Sequence, residues 1–383
     1  GLTRERIASL PKVEVHSHID GAVFPEDIWN IAQRNSVRLH VGRERDGRFL
    51  ASLDDTRRFF GTDDGRPHSY NLTNGAEFDL FLNRFGVTLS LMQTPDTIRD
   101  VVRHFVLDAA SRGVVYLEGR FAPRYSTVEG LTIPNVVDAA VDGVRQAMKE
   151  SGGILAKLIL CVGREEKTEA REQGRRDTTS EVIETAMDFS RSGNVITGID
   201  LACNEIAYPP DEYVDDFAGT FHNPLLRRTI HAGEVAPTRE QAIRNMRVAV
   251  SDMRADGLGH ALPIMDDEDL LDEVVRKGIR IERSPYSNLC SGLINDSADL
   301  RTDELLRRGV KVVVSSDDQA IFNADVNDNL AAVCAAHDFG VKEFAKLQLN
   351  GVTTAFCTAG EAALVKKLFK DRGLDLEEVA RAA

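Results

Sequence analysis

Eight short apolar runs, separated by longer stretches of helical periodicity, constrain this chain more than any other feature. The runs are "VEVHSH" (13–18), "VVYLEGRF" (114–121), "ILAKLILCV" (154–162), "VITGIDLA" (195–202), "RTIHA" (228–232), "GLGHA" (257–261), "IRIERS" (279–284) and "VKVVVSS" (310–316). Runs of this kind suit strands buried on both faces, and their alternation with helices suits a parallel sheet. Helical spacing is found over 96–113, 133–151, 178–193, 238–250, 267–278, 301–309 and 358–370. The pattern predicts an α/β fold, a (β/α)8 TIM barrel forming one domain over residues 1–383.

Residues 22–95 break the rhythm, being too long for one crossover. A helix is expected at 25–35, a polar loop at 61–75 and a Phe-rich helix at 76–92. Loops after the strands of such a barrel build its functional face. This helical insertion after the first strand is therefore either a cover over the active site or a packing element.

Charge narrows the partners. With 61 acidic against 47 basic residues the net charge is −14, which disfavours nucleic acid and anionic membranes and leaves a small-molecule substrate. No apolar run is long enough for a membrane span. Five cysteines, at 161, 203, 290, 334 and 357, form no C-x-x-C pair. Neither a disulfide framework nor a thiolate metal site is expected, and a reducing, cytoplasmic location is. Nothing in the sequence sets the oligomeric state.

The polar residues of interest sit where strand candidates end. His16 and His18 share one face of the first, because strand side chains alternate. His231 ends the fifth, His260 ends the sixth, and Asp317 and Asp318 follow the eighth. On a barrel these positions converge on one mouth. Each alone reads equally as a satisfied core residue. Together, His16, His18, His231 and Asp317 offer nitrogen and oxygen ligands for one divalent ion, with zinc expected, and leave a position open for water. The fourth strand candidate carries no lysine to bridge a second ion, so one ion per subunit is expected. Glu234, three residues after His231, is placed to move protons, or else caps a helix start. His260 is placed to handle the water, or else is a hydrogen-bonded core histidine.

These motifs resemble the adenosine deaminase family of metal-dependent hydrolases. The resemblance rests on "KVEVHSHIDGA" (12–22), "VVYLEGRFAP" (114–123), "GIDLACNE" (198–205), "RTIHAGE" (228–234), "GLGHA" (257–261), "SPYSNLCSG" (284–292) and "SSDDQAIF" (315–322), in family order across most of the chain. It implies hydrolytic deamination of an aminopurine nucleoside by a metal-activated hydroxide, with ammonia released. His16, His18, His231 and Asp317 are then the metal ligands. Glu234 protonates the purine ring nitrogen beside the attacked carbon, His260 orients and deprotonates the water, and Asp318 is the second carboxylate. Asp20 stands where relatives acting on nucleosides bind a ribose hydroxyl. Phe78, Phe81, Leu82 and Phe85 fall on the family's apolar gate, or are simply core-facing.

The chain departs from the family pattern around the base. Cys203 and Asn204 replace Gly and Asp, Gln319 replaces a common Pro, Ser284 a common Cys, and Gly257 and Ala261 alter the surroundings of His260. Cys203 either lines the substrate pocket or fills space as a small apolar group. Two alternatives to purine deamination remain at this stage: a hydrolase of another C–N substrate on the same barrel, and a non-catalytic binding protein.

Overall fold

The computed structural model describes residues 1–42 and 48–382. Positions 43–47 of the insertion lie outside the described residues. Eight parallel strands follow one another round the sheet in chain order: β1 (Lys12–His18), β2 (Val114–Phe121), β3 (Leu155–Gly163), β4 (Ile196–Ala202), β5 (Arg227–Ala232), β6 (Gly257–His260), β7 (Arg280–Arg283) and β8 (Lys311–Val314). Each expected run became a strand, with ends shifted by two residues or fewer. β2, β4, β6 and β7 are buried along their whole length, and the other four are buried except at one or two residues at an end. This is the pattern of a sheet wrapped by helices and filled inside.

The barrel closes differently from the way it grows. Seven of the eight neighbour contacts are parallel ladders, two of them with register shifts. Between β8 and β1 the contact is an isolated bridge, Ser17 to Asp317, in which Asp317 N donates to His16 O at 3.0 Å and His18 N to Asp317 O at 2.8 Å. The seam therefore runs through the residues expected to form the site.

Helices cover the outside as the periodicity predicts. The helix Ile133–Ser151 matches its expected bounds, starting at a Thr132 side-chain cap with Pro in the first turn and ending at a left-handed Gly152. The insertion holds helices Pro25–Arg34, Leu53–Phe60 and Gly75–Leu91, plus a two-residue ladder of Leu39–His40 with Phe49–Leu50. Among the described residues no helix is long and apolar enough to cross a membrane.

Candidate active site

His16, His18, His231, Glu234, His260, Asp317 and Asp318 lie at or just past the C-terminal ends of their strands. His16, His231, His260 and Asp317 are buried together, with their potential ligand atoms all within 4.8 Å of one another. This tight group differs from the expected quartet by one member. His18, the last residue of β1 and 16% exposed, lies at its edge, with Nε2 3.3 Å from Asp317 Oδ1. His260 instead points in, with Nε2 3.6 Å from Asp317 Oδ2. The backbone explains why sequence spacing could not rank the two. His260 and Asp317 both adopt left-handed conformations, φ 68° and 62°. Non-glycine residues reach this region rarely and at a cost, most often at functional sites.

A second layer of carboxylates orients the imidazoles. Glu282 Oε1 lies 2.9 Å from His16 Nδ1, and Asp200 Oδ1 3.0 Å from His231 Nδ1. A carboxylate on Nδ1 fixes the tautomer that leaves the Nε2 lone pair free for a cation. Burial, aided by the Arg120 charge, pushes His16 down to about 4, so its ring is neutral at physiological pH. Burial alone would raise Asp317; the imidazoles of His16 and His18 beside it and the His260 charge hold it well below the usual carboxylate range. His16 Nε2 and His260 Nε2 are buried close to carboxylates, 3.1 Å from Asp317 Oδ1 and 3.0 Å from Glu234 Oε2, without the angle of a hydrogen bond. Orphaned nitrogens facing a buried carboxylate cost free energy unless a cation takes them up. The donor set fits a metal.

Glu234 follows a left-handed Gly233 and turns back onto His260, Oε2 to Nε2 3.0 Å. Its loop is held by Glu205, whose carboxylate accepts the amides of Gly233 (2.8 Å), Glu234 (2.9 Å) and Val235 (3.2 Å). Burial works against charge on both partners of the pair. Their mutual attraction outweighs it, raising His260 to about 9 and lowering Glu234. Asp318 is pushed well above the carboxyl range, by burial first and then by Asp317, Asp20 and Glu234. It packs so closely on the Asp20–Gly21 turn that a Cβ at Gly21 would lie 2.1 Å from Asp318 Oδ1 and 2.8 Å from the Phe85 ring. Only glycine fits there.

The Phe-rich helix divides its apolar residues. Phe81 stacks edge-on with Tyr70 and Phe85, at centroid distances of 5.2 and 5.1 Å, and Phe85 reaches the Gly21 turn. Phe78 and Leu82, which the i, i+3, i+4, i+7 spacing places on the same side of the helix as Phe81 and Phe85, are exposed. Of the departures from the family pattern, Gln319 turns outward to Ala22 O and Asp108. Asn204 caps a local turn by accepting from Ala207 N. Cys203, just past the end of β4, is exposed, with its sulfur 4.0 Å from Tyr125 Oη and near Gly163.

Sequence reasoning missed Asp200, Glu282, Arg120, Glu205 and Asn288, whose amide lies 3.2 Å from His260 Nδ1. The available signal was a charged residue inside an otherwise apolar strand, as in "VITGIDLA" and "VVYLEGRF".

This arrangement has relatives. The family pattern described as adenosine deaminase matches residues 62–371. Adenosine deaminase from Enterococcus faecalis is 24% identical over 367 residues, covering 96% of this chain and 98% of that protein. Among solved structures, the fold is similar to the N6-methyl-AMP deaminase from Arabidopsis thaliana (TM-score 0.76, 20% identity, 97% of this chain and 99% of that one). It is also similar to an amidohydrolase from Burkholderia ambifaria with bound zinc (TM-score 0.74, 21% identity, 98% and 93%). The barrel, with its buried histidine–aspartate group, is of the kind these relatives share. The chain belongs to the adenosine deaminase family, and is a hydrolytic deaminase.

Proposed function

We propose that this enzyme deaminates a 6-aminopurine nucleoside, adenosine or a close derivative, with one zinc ion held by His16, His18, His231 and Asp317 and with His260 adjacent. The observation that carries the reading is the pairing of the buried group His16, His231, His260 and Asp317 with Glu234, 3.0 Å from His260. Imidazole and carboxylate donors suit zinc. A bound zinc ion supplies an activated water as the nucleophile.

The chain's own residues do the rest. The one proton held between His260 and Glu234 moves onto Glu234, which delivers it to the ring nitrogen next to the amine-bearing carbon and makes that carbon electrophilic. His260, left neutral by that transfer, accepts a proton from the attacking water and passes it to the departing amine, while Glu234 takes up the proton of the new hydroxyl. Asp318, protonated in its buried setting, donates a hydrogen bond to the imidazole-ring nitrogen of the purine. The insertion covers the mouth, with Phe81 and Phe85 excluding water above the ring.

Asp20 selects the substrate class. It directly follows the His18–Ile19 pair on the turn beside Asp318, where an anionic side chain suits a sugar hydroxyl and repels a phosphate. The test is a panel of adenosine, 2′-deoxyadenosine, N6-methyladenosine, adenine and AMP with zinc-loaded protein. Ammonia release with the ultraviolet shift of amine to carbonyl is expected for the nucleosides. Absence of ammonia from every member would overturn the reading, and preference for AMP would overturn the role given to Asp20.

A further inference from the structure

We infer that Arg120 is a positioning residue that couples two of the proposed metal ligands, His16 and His231, through one buried guanidinium; the inference rests on the metal-site reading above. Arg120 projects from β2 into the barrel interior and is fully buried. Nη1 donates to Asp200 Oδ2 at 3.2 Å, and Nη2 to Glu282 Oε1 at 3.2 Å. These are the carboxylates behind His231 and His16. Nη2 also donates to Val15 O at 2.8 Å, the carbonyl just before His16. One side chain thus ties β1, β4 and β7 to β2 directly beneath the site.

The planar fork matters. Asp200 and Glu282 are both fully buried anions, and two such groups facing one site repel each other unless a cation lies between them. A guanidinium presents donors at fixed angles to both, which an ammonium on a flexible stem does not. With Arg120 in place each carboxylate keeps a defined position and accepts its histidine Nδ1–H. Without it, the carboxylates shift or take up protons, and both imidazoles lose their fixed aim. Arg280, also buried, binds the other oxygen of Glu282 and Glu118, so the far side of Glu282 is already balanced, and on the Asp200 side Arg120 supplies the positive charge while the Cys161 thiol donates to the same Oδ2 at 3.5 Å.

The test compares full-length wild type with Arg120→Lys, Arg120→Met, Asp200→Asn and the Arg120→Lys/Asp200→Asn double variant. Zinc affinity is read by competition with a chromogenic chelator, and ligand geometry by the visible spectrum of the cobalt-loaded protein. Arg120→Lys is expected to weaken zinc binding by about 10- to 100-fold and to alter the cobalt spectrum. Asp200→Asn is expected to cost less in the Arg120→Lys background than in wild type, because both act on His231 by one route. If Arg120→Met fails to fold, Arg120→Lys, which keeps the charge and loses the fork, still decides. Zinc affinity within about twofold of wild type, with an unchanged cobalt spectrum, would overturn the role of Arg120 alone. A wild-type protein that takes up neither ion would overturn the metal-site reading itself.

Discussion

The Glu14 carboxylate takes both the amide and the hydroxyl of Ser316, at 3.0 and 2.8 Å, across the seam where β1 and β8 do not form a ladder. Its other oxygen accepts the amide of His16 at 3.0 Å. A side chain therefore supplies the pairing that the backbone omits, one residue before Asp317 and two before His16. All three donors need an acceptor, and a carboxylate offers acceptors on both oxygens. In Glu14→Gln one of these positions becomes an NH2 that faces another donor. The seam should loosen and zinc affinity fall by about tenfold, measured by chelator competition; affinity equal to wild type would show that the bridge and its hydrogen bonds hold the seam without Glu14.

Glu234 and His260 are each defined by the other. In metal-free protein burial alone would lower His260, and the Glu234 carboxylate raises it to about 9. Glu234→Gln should therefore lower the His260 titration, followed by NMR, from about 9, with Asp317 and Glu205 still opposing the effect of burial. The sign for stability follows. A raised histidine contributes stability that is complete below its unfolded value and is lost as pH rises through about 9. Metal-free wild type should lose stability over that window relative to Glu234→Gln. Zinc-loaded Glu234→Gln should retain its metal and lose kcat by at least ~100-fold; full turnover would remove Glu234 from the proton-transfer role.

The elements most legible in the sequence were those whose physics is local. Buried strands read as apolar runs, and the helices Ile133–Ser151 and Gly75–Leu91 read from their periodicity and caps. The helices Val326–His337 and Val341–Thr353 were not anticipated, because both bury residues on several sides and their periodicity is weak or interrupted by polar residues such as Asn327 and Gln348, themselves buried. In the site, histidines at strand ends were visible, and the carboxylates behind them were not. An Asp or Glu in a strand such as "VITGIDLA" looks the same whether it faces solvent or an imidazole, and only barrel closure brings Asp200 to His231. The exchange of His18 for His260 in the tight group depends on left-handed backbone at His260, which no residue type there announces.

Lys12 is a cost that pH can switch. It begins β1 fully buried, and its ammonium donates to Arg112 O at 2.7 Å. Burial, aided by the Arg372 charge, pushes it from 10.5 down to about 7. A lysine depressed in this way leaves the fold most stable above its unfolded value and costs stability as pH falls through about 7. Lys12→Met should be more stable than wild type by roughly 2 kcal/mol near neutral pH, with the gap closing towards pH ~10. The Arg112 carbonyl keeps Asn327 Nδ2 as a partner at 3.3 Å, so no acceptor is stranded. Urea midpoints at the two pH values check this; a gap that does not change with pH would mean that Lys12 stays charged in the fold.

Cys203 carries the most specific expectation about substrate choice. It sits just past β4 with φ 80°, a conformation that costs a non-glycine residue about 1–2 kcal/mol. Its sulfur lies beside Tyr125 Oη and Gly163. Cys203→Gly relieves the backbone strain while adding chain entropy to the unfolded state, so stability should stay within about 1 kcal/mol of wild type or rise slightly. Removing the thiol opens space at the position where the family pattern has glycine. If that position touches the base, kcat/KM for adenosine relative to a bulkier N6-substituted or 2-substituted adenosine should shift by at least ~10-fold, the scale of one methylene-sized contact in a pocket. Steady-state rates on matched pairs of nucleosides measure the ratio. An unchanged ratio, with stability preserved, would place Cys203 outside the base-binding surface and make it a small filler at the rim.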